Sequence, residues 1–230
     1  MIISTMDFVS IPQWFRINNV IIDAVSFVVL IIFFFLCFNY YRLTKKKNFL
    51  YLGIGFVLIS LAQLAAIALK LGVYYDVSFI QQVGQAIVTY HILTSVKTFY
   101  IVASFFNKLL TLAGFYIIYR LITKKSSSGE FILAIYFIVI SVVASTTADY
   151  LFHLTIVLLL LLIMFGYYET YKRTRVSNTA YLILAFSLLA IAHFIALVTN
   201  LATPSIIANL IELASYLILL VLIIKIIRKG

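Results

Sequence analysis

Seven separate stretches of this chain are each apolar for about the length a helix needs to cross a bilayer, roughly 20 residues. They run approximately over 20–41, 49–71, 101–122, 129–147, 149–171, 179–200 and 205–226. In hydrocarbon a backbone amide has no water to bond, so such stretches must be helical and satisfy their own amides and carbonyls. The expected fold is therefore an all-α, polytopic membrane protein with seven transmembrane helices. The fourth segment is the shortest, with a clean apolar core only from Phe131 to Ala144.

Composition supports this reading. Hydrophobic residues make up 65% of the 230, and charged residues only 10%, against about 25% in an average soluble domain. A soluble fold of this length keeps too much of its surface exposed to hide that much apolar area. An ordinary soluble enzyme, a disordered chain and a disulfide scaffold are all excluded. Cys37 is the only cysteine, so neither an intramolecular disulfide nor a cysteine metal site can form.

The cations set the orientation. Thirteen of the 17 Lys and Arg residues fall at one end of a seven-helix arrangement. Arg42 and Lys45–Lys47 follow the first helix, and Arg120, Lys124 and Lys125 close the third. Lys172, Arg173 and Arg175 follow the fifth, and Lys225, Arg228 and Lys229 close the seventh. Arg16, Lys70, Lys97 and Lys108 lie at the other end. Six or eight spans would scramble this sorting. The positive-inside rule then places the N-terminus outside and the C-terminus in the cytoplasm of a multi-pass cell-membrane protein. Because the cations follow the membrane, the net charge of +10 points to no nucleic acid partner. The basic loops are expected to attract anionic lipids from the bilayer. Residues 1–18 have neither a basic n-region nor a small-residue cleavage site, and are expected to be a short external tail rather than a signal peptide.

The chain also matches itself. Residues 51–71 align without gaps on 181–201, pairing Tyr51, Phe56, Ala62 and Ala66 with Tyr181, Phe186, Ala192 and Ala196. Helix 3 aligns on helix 7, with LAGF at 112–115 over LASY at 213–216 and Lys124 over Lys225. Helices 1 and 5 share an apolar run that ends in a tyrosine pair and a basic loop. A tandem copy of three helices would insert upside down, and one intervening helix restores its orientation. The expected organisation is a parallel 3+1+3 repeat, with residues 19–125 as the first unit, 126–148 as a linker helix and 149–230 as the second. Between helices 2 and 3 an insertion, residues 73–100, carries Phe79, Val83, Ile87, Tyr90 and Leu93 at helical spacing. This spacing predicts an amphipathic helix on the outer surface.

In this helix order the chain resembles a broad group of seven-helix proteins that includes SWEET-type transporters and microbial rhodopsins. The resemblance is architectural and covers roughly residues 19–228. It implies a seven-helix fold with parallel repeats and carries over no activity. The last helix has no lysine before Lys225, so no retinal is expected, and the repeat helices lack the prolines of SWEET-type proteins.

Polar residues inside the spans are costly, and each is a functional hypothesis. Helix 7 carries Ser205, Asn209, Glu212 and Ser215 on one face. Glu212 would lie about 12 Å below the start of that helix, and His193 about 10 Å below the outer end of helix 6. His193 aligns with Gln63 of helix 2, and Glu212 with Thr111 of helix 3. Asp23 on helix 1, with Asp149 and His153 on helix 5, completes the candidate ligand-binding set. All of these fall in the outer half, whereas 27–38, 156–165 and 217–224 contain no polar side chain. This predicts an outward-facing polar pocket among helices 1, 2, 5, 6 and 7, with Glu212 close to His193, and it argues against a constitutive ion channel.

Three functional classes fit. One is a non-enzymatic binding, sensor-like or accessory protein, for which signalling is expected to need a membrane partner or homo-oligomer because the cytoplasmic loops hold only about ten residues each. The second is a secondary transporter of a small polar or cationic solute. The third is a membrane-embedded metal hydrolase using His91, His153 and His193. The His-x-x-x-His pair of seven-helix zinc hydrolases is missing, so no metal, cofactor or catalytic residue is expected. Topology is directly testable in a Cys37→Ser background. A cysteine replacing Ser126 should react with an impermeant maleimide only from the cytoplasmic side, and one replacing Ser78 only from outside. The opposite pattern would overturn the orientation.

Overall fold

The computed structural model describes the backbone of residues 13–83, 89–123, 128–145, 148–198 and 202–229. They form seven helices: α1 (Gln13–Thr44), α2 (Lys47–Val83), α3 (Thr89–Thr123), α4 (Ser128–Ala144), α5 (Asp149–Thr174), α6 (Ser177–Val198) and α7 (Ala202–Lys229). There is no strand among the described residues. Six of the helices are long and apolar enough to cross a membrane, and α4 contains only a shorter apolar helix, Ile132–Ala144. At 17 residues, α4 is about 26 Å long, just under the hydrocarbon thickness.

Helix α1 begins at Gln13, so 13–18 are helical, and residues 1–12 lie outside the described residues. One expectation changes, because the 73–100 segment is not one separate surface helix. Helix α2 continues to Val83 and α3 starts at Thr89, because nothing in the apolar periodicity of 73–83 interrupts the helix begun at Lys47. The side chains of 73–97 lie outside the described residues.

The helices close into a ring. Packing contacts join α1 to α2, α2 to α3, α3 to α5, α5 to α6, α6 to α7 and α7 back to α1, while α4 sits outside against α3 and α5. Side chains facing the ring interior are therefore buried. Leu30, Phe33, Phe56, Phe115, Phe186 and Leu219 are among the core. The Phe33 and Phe56 rings lie 4.4 Å apart, and Tyr167 stacks on Phe186 at 5.7 Å. Leu158, Phe165, Val221 and their like point outward, as expected of surface that lipid covers.

The turns after α1 and α5 have the same form. The turn after α1 places Lys45 at φ 57° and the turn after α5 places Arg175 at φ 53°, two left-handed C-caps 130 residues apart. The Lys45 amide donates to the Tyr41 carbonyl at 2.7 Å and the Arg175 amide to the Tyr171 carbonyl at 2.8 Å. Thr44 and Thr174, just before these caps, each donate a hydroxyl to the carbonyl four residues back. Burial along 51–65 follows that along 181–195 except at Gly53/Ile183 and Gln63/His193. Each packing contact within or between the triplets also has its counterpart when α1, α2 and α3 are exchanged for α5, α6 and α7.

Helices α2 and α3 approach closely at Gly55 and Gly114. A Cβ on Gly114 would lie 2.7 Å from the Gly55 carbonyl oxygen and 2.6 Å from Ile59 Cγ1. The aligned positions in the second triplet are Ala185 and Ser215, where Ser215 Oγ donates to the Ala185 carbonyl at 2.8 Å. Small residues at such crossings let bilayer helices approach closely. Gly114→Leu should therefore push α2 and α3 apart and lower the thermal unfolding midpoint in detergent, at a cost of about 1–3 kcal/mol. Gly53→Ala, whose added Cβ would meet only side-chain carbons at 3.2 Å or more, should move it far less. Equal shifts in the two variants would refute the crossing.

Candidate functional site

The ends of the ring differ. One end carries the α1–α2 and α5–α6 turns with their cations and is called the basic end here. The candidate polar residues lie toward the other end.

Glu212 sits at the centre of the best-defined group. Its Oε1 accepts a hydrogen bond from Gln63 Nε2 at 2.8 Å and from the Tyr216 hydroxyl at 2.6 Å. Tyr216 follows one turn after Glu212 on the same face of α7, as i and i+4 side chains do. Gln63 comes from α2, which makes no packing contact with α7 among the described residues. The bond therefore crosses the ring interior between helices that are not neighbours. In a low-dielectric interior it stabilises both partners mainly by preventing an orphaned polar group.

Asp23 is buried, and Lys70 of α2 meets it as a salt bridge and hydrogen bond. His153 and His193 pair through their Nδ1 atoms at 3.3 Å, with ring centroids 5.6 Å apart. One ring must donate and the other accept. His193 Nε2 is buried and has no hydrogen-bond partner among the described residues. Thr111 is buried, and its hydroxyl donates to the Asn107 carbonyl of its own helix at 2.8 Å. Asn209 is half-buried, three residues before Glu212 and so on the same helical face.

Asp149 lies apart. Its side chain is 79% exposed at the start of α5 and accepts from Lys108 Nζ at 2.5 Å. Lys108 also donates to the Ser145 carbonyl at 3.1 Å and stands 5.8 Å over the Phe152 ring. This pair ties α3 to the connection between α4 and α5. The exposure of Asp149 makes it a boundary group rather than part of the interior set.

The structure thus brings together Gln63 with Glu212, and His153 with His193. It does not join Glu212 to His193 by a direct hydrogen bond, because His193 Nδ1 faces His153 and its Nε2 is unpartnered. Tyr216 was absent from the sequence-derived set, although its i+4 spacing from Glu212 was a usable signal. Lys70 was legible as a cation at the far end but not as the partner of Asp23, because that pairing depends on which helices adjoin.

The alignment of the two triplets orders these residues. Residues 130 apart pair Asp23 with His153 and Gln63 with His193, and residues 101 apart pair Thr111 with Glu212. Each of the six ring helices contributes one member of these sequence pairs. Toward the basic end the ring is packed with Leu30, Phe33, Phe56, Leu160, Phe186 and Leu219.

Two cavities with described linings lie at the basic end. One, of about 210 Å³, is lined by residues that include Phe33, Asn48, Leu52, Leu121, Leu182 and Leu222. Its lining draws on α1, α2 and α3 and on α6 and α7. The other lies between α6 and α7. Among the described residues no group of three or more His, Cys, Asp or Glu side chains gathers to hold a metal ion. The side chain of His91 lies outside the described residues.

No family model matches the chain, and neither a curated protein nor a solved structure is significantly similar to it.

The cross-ring bond has a measurable consequence. Glu212→Leu leaves the Gln63 amide and the Tyr216 hydroxyl without their acceptor and should cost about 1–3 kcal/mol, whereas Glu212→Gln keeps a carbonyl acceptor and should cost less. A double-mutant cycle with Gln63→Leu should give a coupling of about 0.6 kcal/mol, the average for polar pairs between bilayer helices. Zero coupling in detergent unfolding would show that the bond does not form.

Proposed function

We propose that this chain is a non-enzymatic protein of the cell membrane that binds a small polar or cationic solute within the ring. Asp23, Gln63, Thr111, His153, His193 and Glu212 supply the binding groups. Access is from the face opposite the basic loops, which the positive-inside rule makes the external face. Its role is binding, sensor-like or accessory, exercised through a membrane partner or a second copy.

The observation that carries this reading is the Gln63–Glu212 hydrogen bond across the ring. A carboxylate held between non-adjacent helices is a group that a solute can reach only by entering the interior. An amine or a hydroxyl-rich solute could replace the Gln63 amide as donor to Glu212, and the unpartnered His193 Nε2 offers a further polar contact. The packed apolar core toward the basic end supports binding over open conduction.

A second reading, secondary transport, is favoured by one further observation. The six polar positions and the 210 Å³ cavity at the basic end lie between the same two triplets. We read these triplets as two copies of one three-helix unit. A site and a cavity placed between parallel repeats suit alternating exposure of one site to the two faces.

Thermal-shift measurements on purified protein test the first reading against a panel of amines, guanidinium compounds, amino acids, polyols and sugars. At least one class should raise the unfolding midpoint, with stabilisation growing as the logarithm of concentration above its Kd. Glu212→Gln or His193→Ala should reduce that shift. No stabilisation across the panel would overturn it. For a solute that binds, counterflow into proteoliposomes separates the readings. Uptake abolished by Glu212→Gln supports transport, and binding without uptake supports a sensor or accessory role.

A further inference from the structure

The groove between α6 and α7 at the basic end has a chemistry unlike that of the ring interior. Its cavity, about 290 Å³, is lined by Tyr181 and Leu184 of α6 and by Leu217, Ile218, Val221, Leu222 and Lys225 of α7. Leu184, Leu217 and Val221 are all exposed, Val221 by 64%, so the groove opens on the outer surface of the ring. Both helices are apolar spans at this level, and the medium that meets this surface is the bilayer.

The groove has a polar end and an apolar length. Leu217, Val221 and Lys225 follow one another at four-residue intervals on one face of α7. Eight residues of helix give the groove an apolar run of about 12 Å away from Lys225. Lys225 Nζ stands 4.7 Å over the Tyr181 ring, which holds the ammonium at the mouth of the groove by cation–π attraction. No carboxylate pairs with Lys225 among the described residues. Arg228, exposed and three residues further on, adds a second cation on that side of α7. An ammonium without a counter-ion at the headgroup level, above an open apolar furrow, complements a molecule with an anionic head and a hydrocarbon tail. Basic sites between transmembrane helices on the cytoplasmic side bind anionic lipid headgroups in this manner.

We propose that the α6–α7 groove is a binding site for one anionic glycerophospholipid. Its phosphate sits on Lys225 and the first part of an acyl chain lies along Leu184, Leu217 and Val221. The site is independent of the solute reading, because it lies on the outer surface of the ring and uses none of the interior polar residues.

Native mass spectrometry of the full chain, released from micelles carrying equal amounts of phosphatidylglycerol and phosphatidylcholine, tests it. The wild-type protein should retain one phosphatidylglycerol in preference to phosphatidylcholine. Lys225→Gln should lower that preference about fivefold, the effect expected of one cation near an anionic surface. Arg173→Gln, which removes a cation from the same end but outside the groove, should change it much less. Val221→Trp keeps the charge but fills the furrow, and should reduce retention of both lipids. Circular dichroism and an unchanged elution volume establish that each variant is folded. Equal retention of the two lipids by the wild type would overturn the proposal. So would equal losses in Lys225→Gln and Arg173→Gln, which would mean diffuse attraction to the basic end. Unaltered phosphatidylglycerol binding in Val221→Trp would remove the acyl-chain part and with it the site.

Discussion

A backbone that crosses hydrocarbon has no water to bond, and every other feature of this protein is arranged around that constraint. Each span must be helical, and a helix in lipid gains nothing from hiding apolar side chains, since lipid tails are equally apolar. What holds such helices together is close packing and the satisfaction of scarce polar groups. Both are visible at the Gly55–Gly114 crossing and at the Ser215 bond to the Ala185 carbonyl. The two crossings are packed in different ways. One brings bare backbones together, and the other places a hydroxyl between them.

Ring closure converts that packing into a functional interior. With α4 outside and six helices in a cycle, a polar side chain on an inward face has only other inward faces to meet. Glu212 therefore finds Gln63 from a helix it does not pack against, and His153 finds His193. Asp149, at the edge of the ring, instead forms an exposed pair with Lys108. Residues of similar chemistry thus take different roles according to whether their helix face turns into the ring or meets the boundary. The bilayer surface of the same ring offers a further chemistry, where Lys225 caps an apolar furrow between α6 and α7.

Much of this architecture was legible in advance. The apolar runs located the helices to within a few residues at the basic end, because charged turns interrupt them sharply at Lys45–Lys46 and Arg175–Val176. At the other end the signal was weaker. The polar residues of 73–100 suggested a separate surface helix, yet α2 and α3 extend into that segment, since scattered glutamines and threonines do not by themselves end a helix, and α2 runs on to Val83, just before Gly84. For the site, spacing alone placed Asn209, Glu212 and Tyr216 on one face. It could not say which of several polar residues on other helices would face them, because side-chain partners depend on helix rotation and ring order.

The sequence by itself determined that this is a helical membrane protein, how its cations sort to one end, and that its few intramembrane polar residues gather toward the other. These properties depend on the transfer of single segments between water and hydrocarbon, which each segment's own composition decides. Only the tertiary structure decided that Glu212 bonds Gln63 and Tyr216 rather than His193, that Asp23 has Lys70 as its counter-ion, and that α4 stands outside the ring. Such pairings depend on the rotation and neighbours of each helix. Those follow from how small residues let particular faces approach, and no segment read alone contains that information.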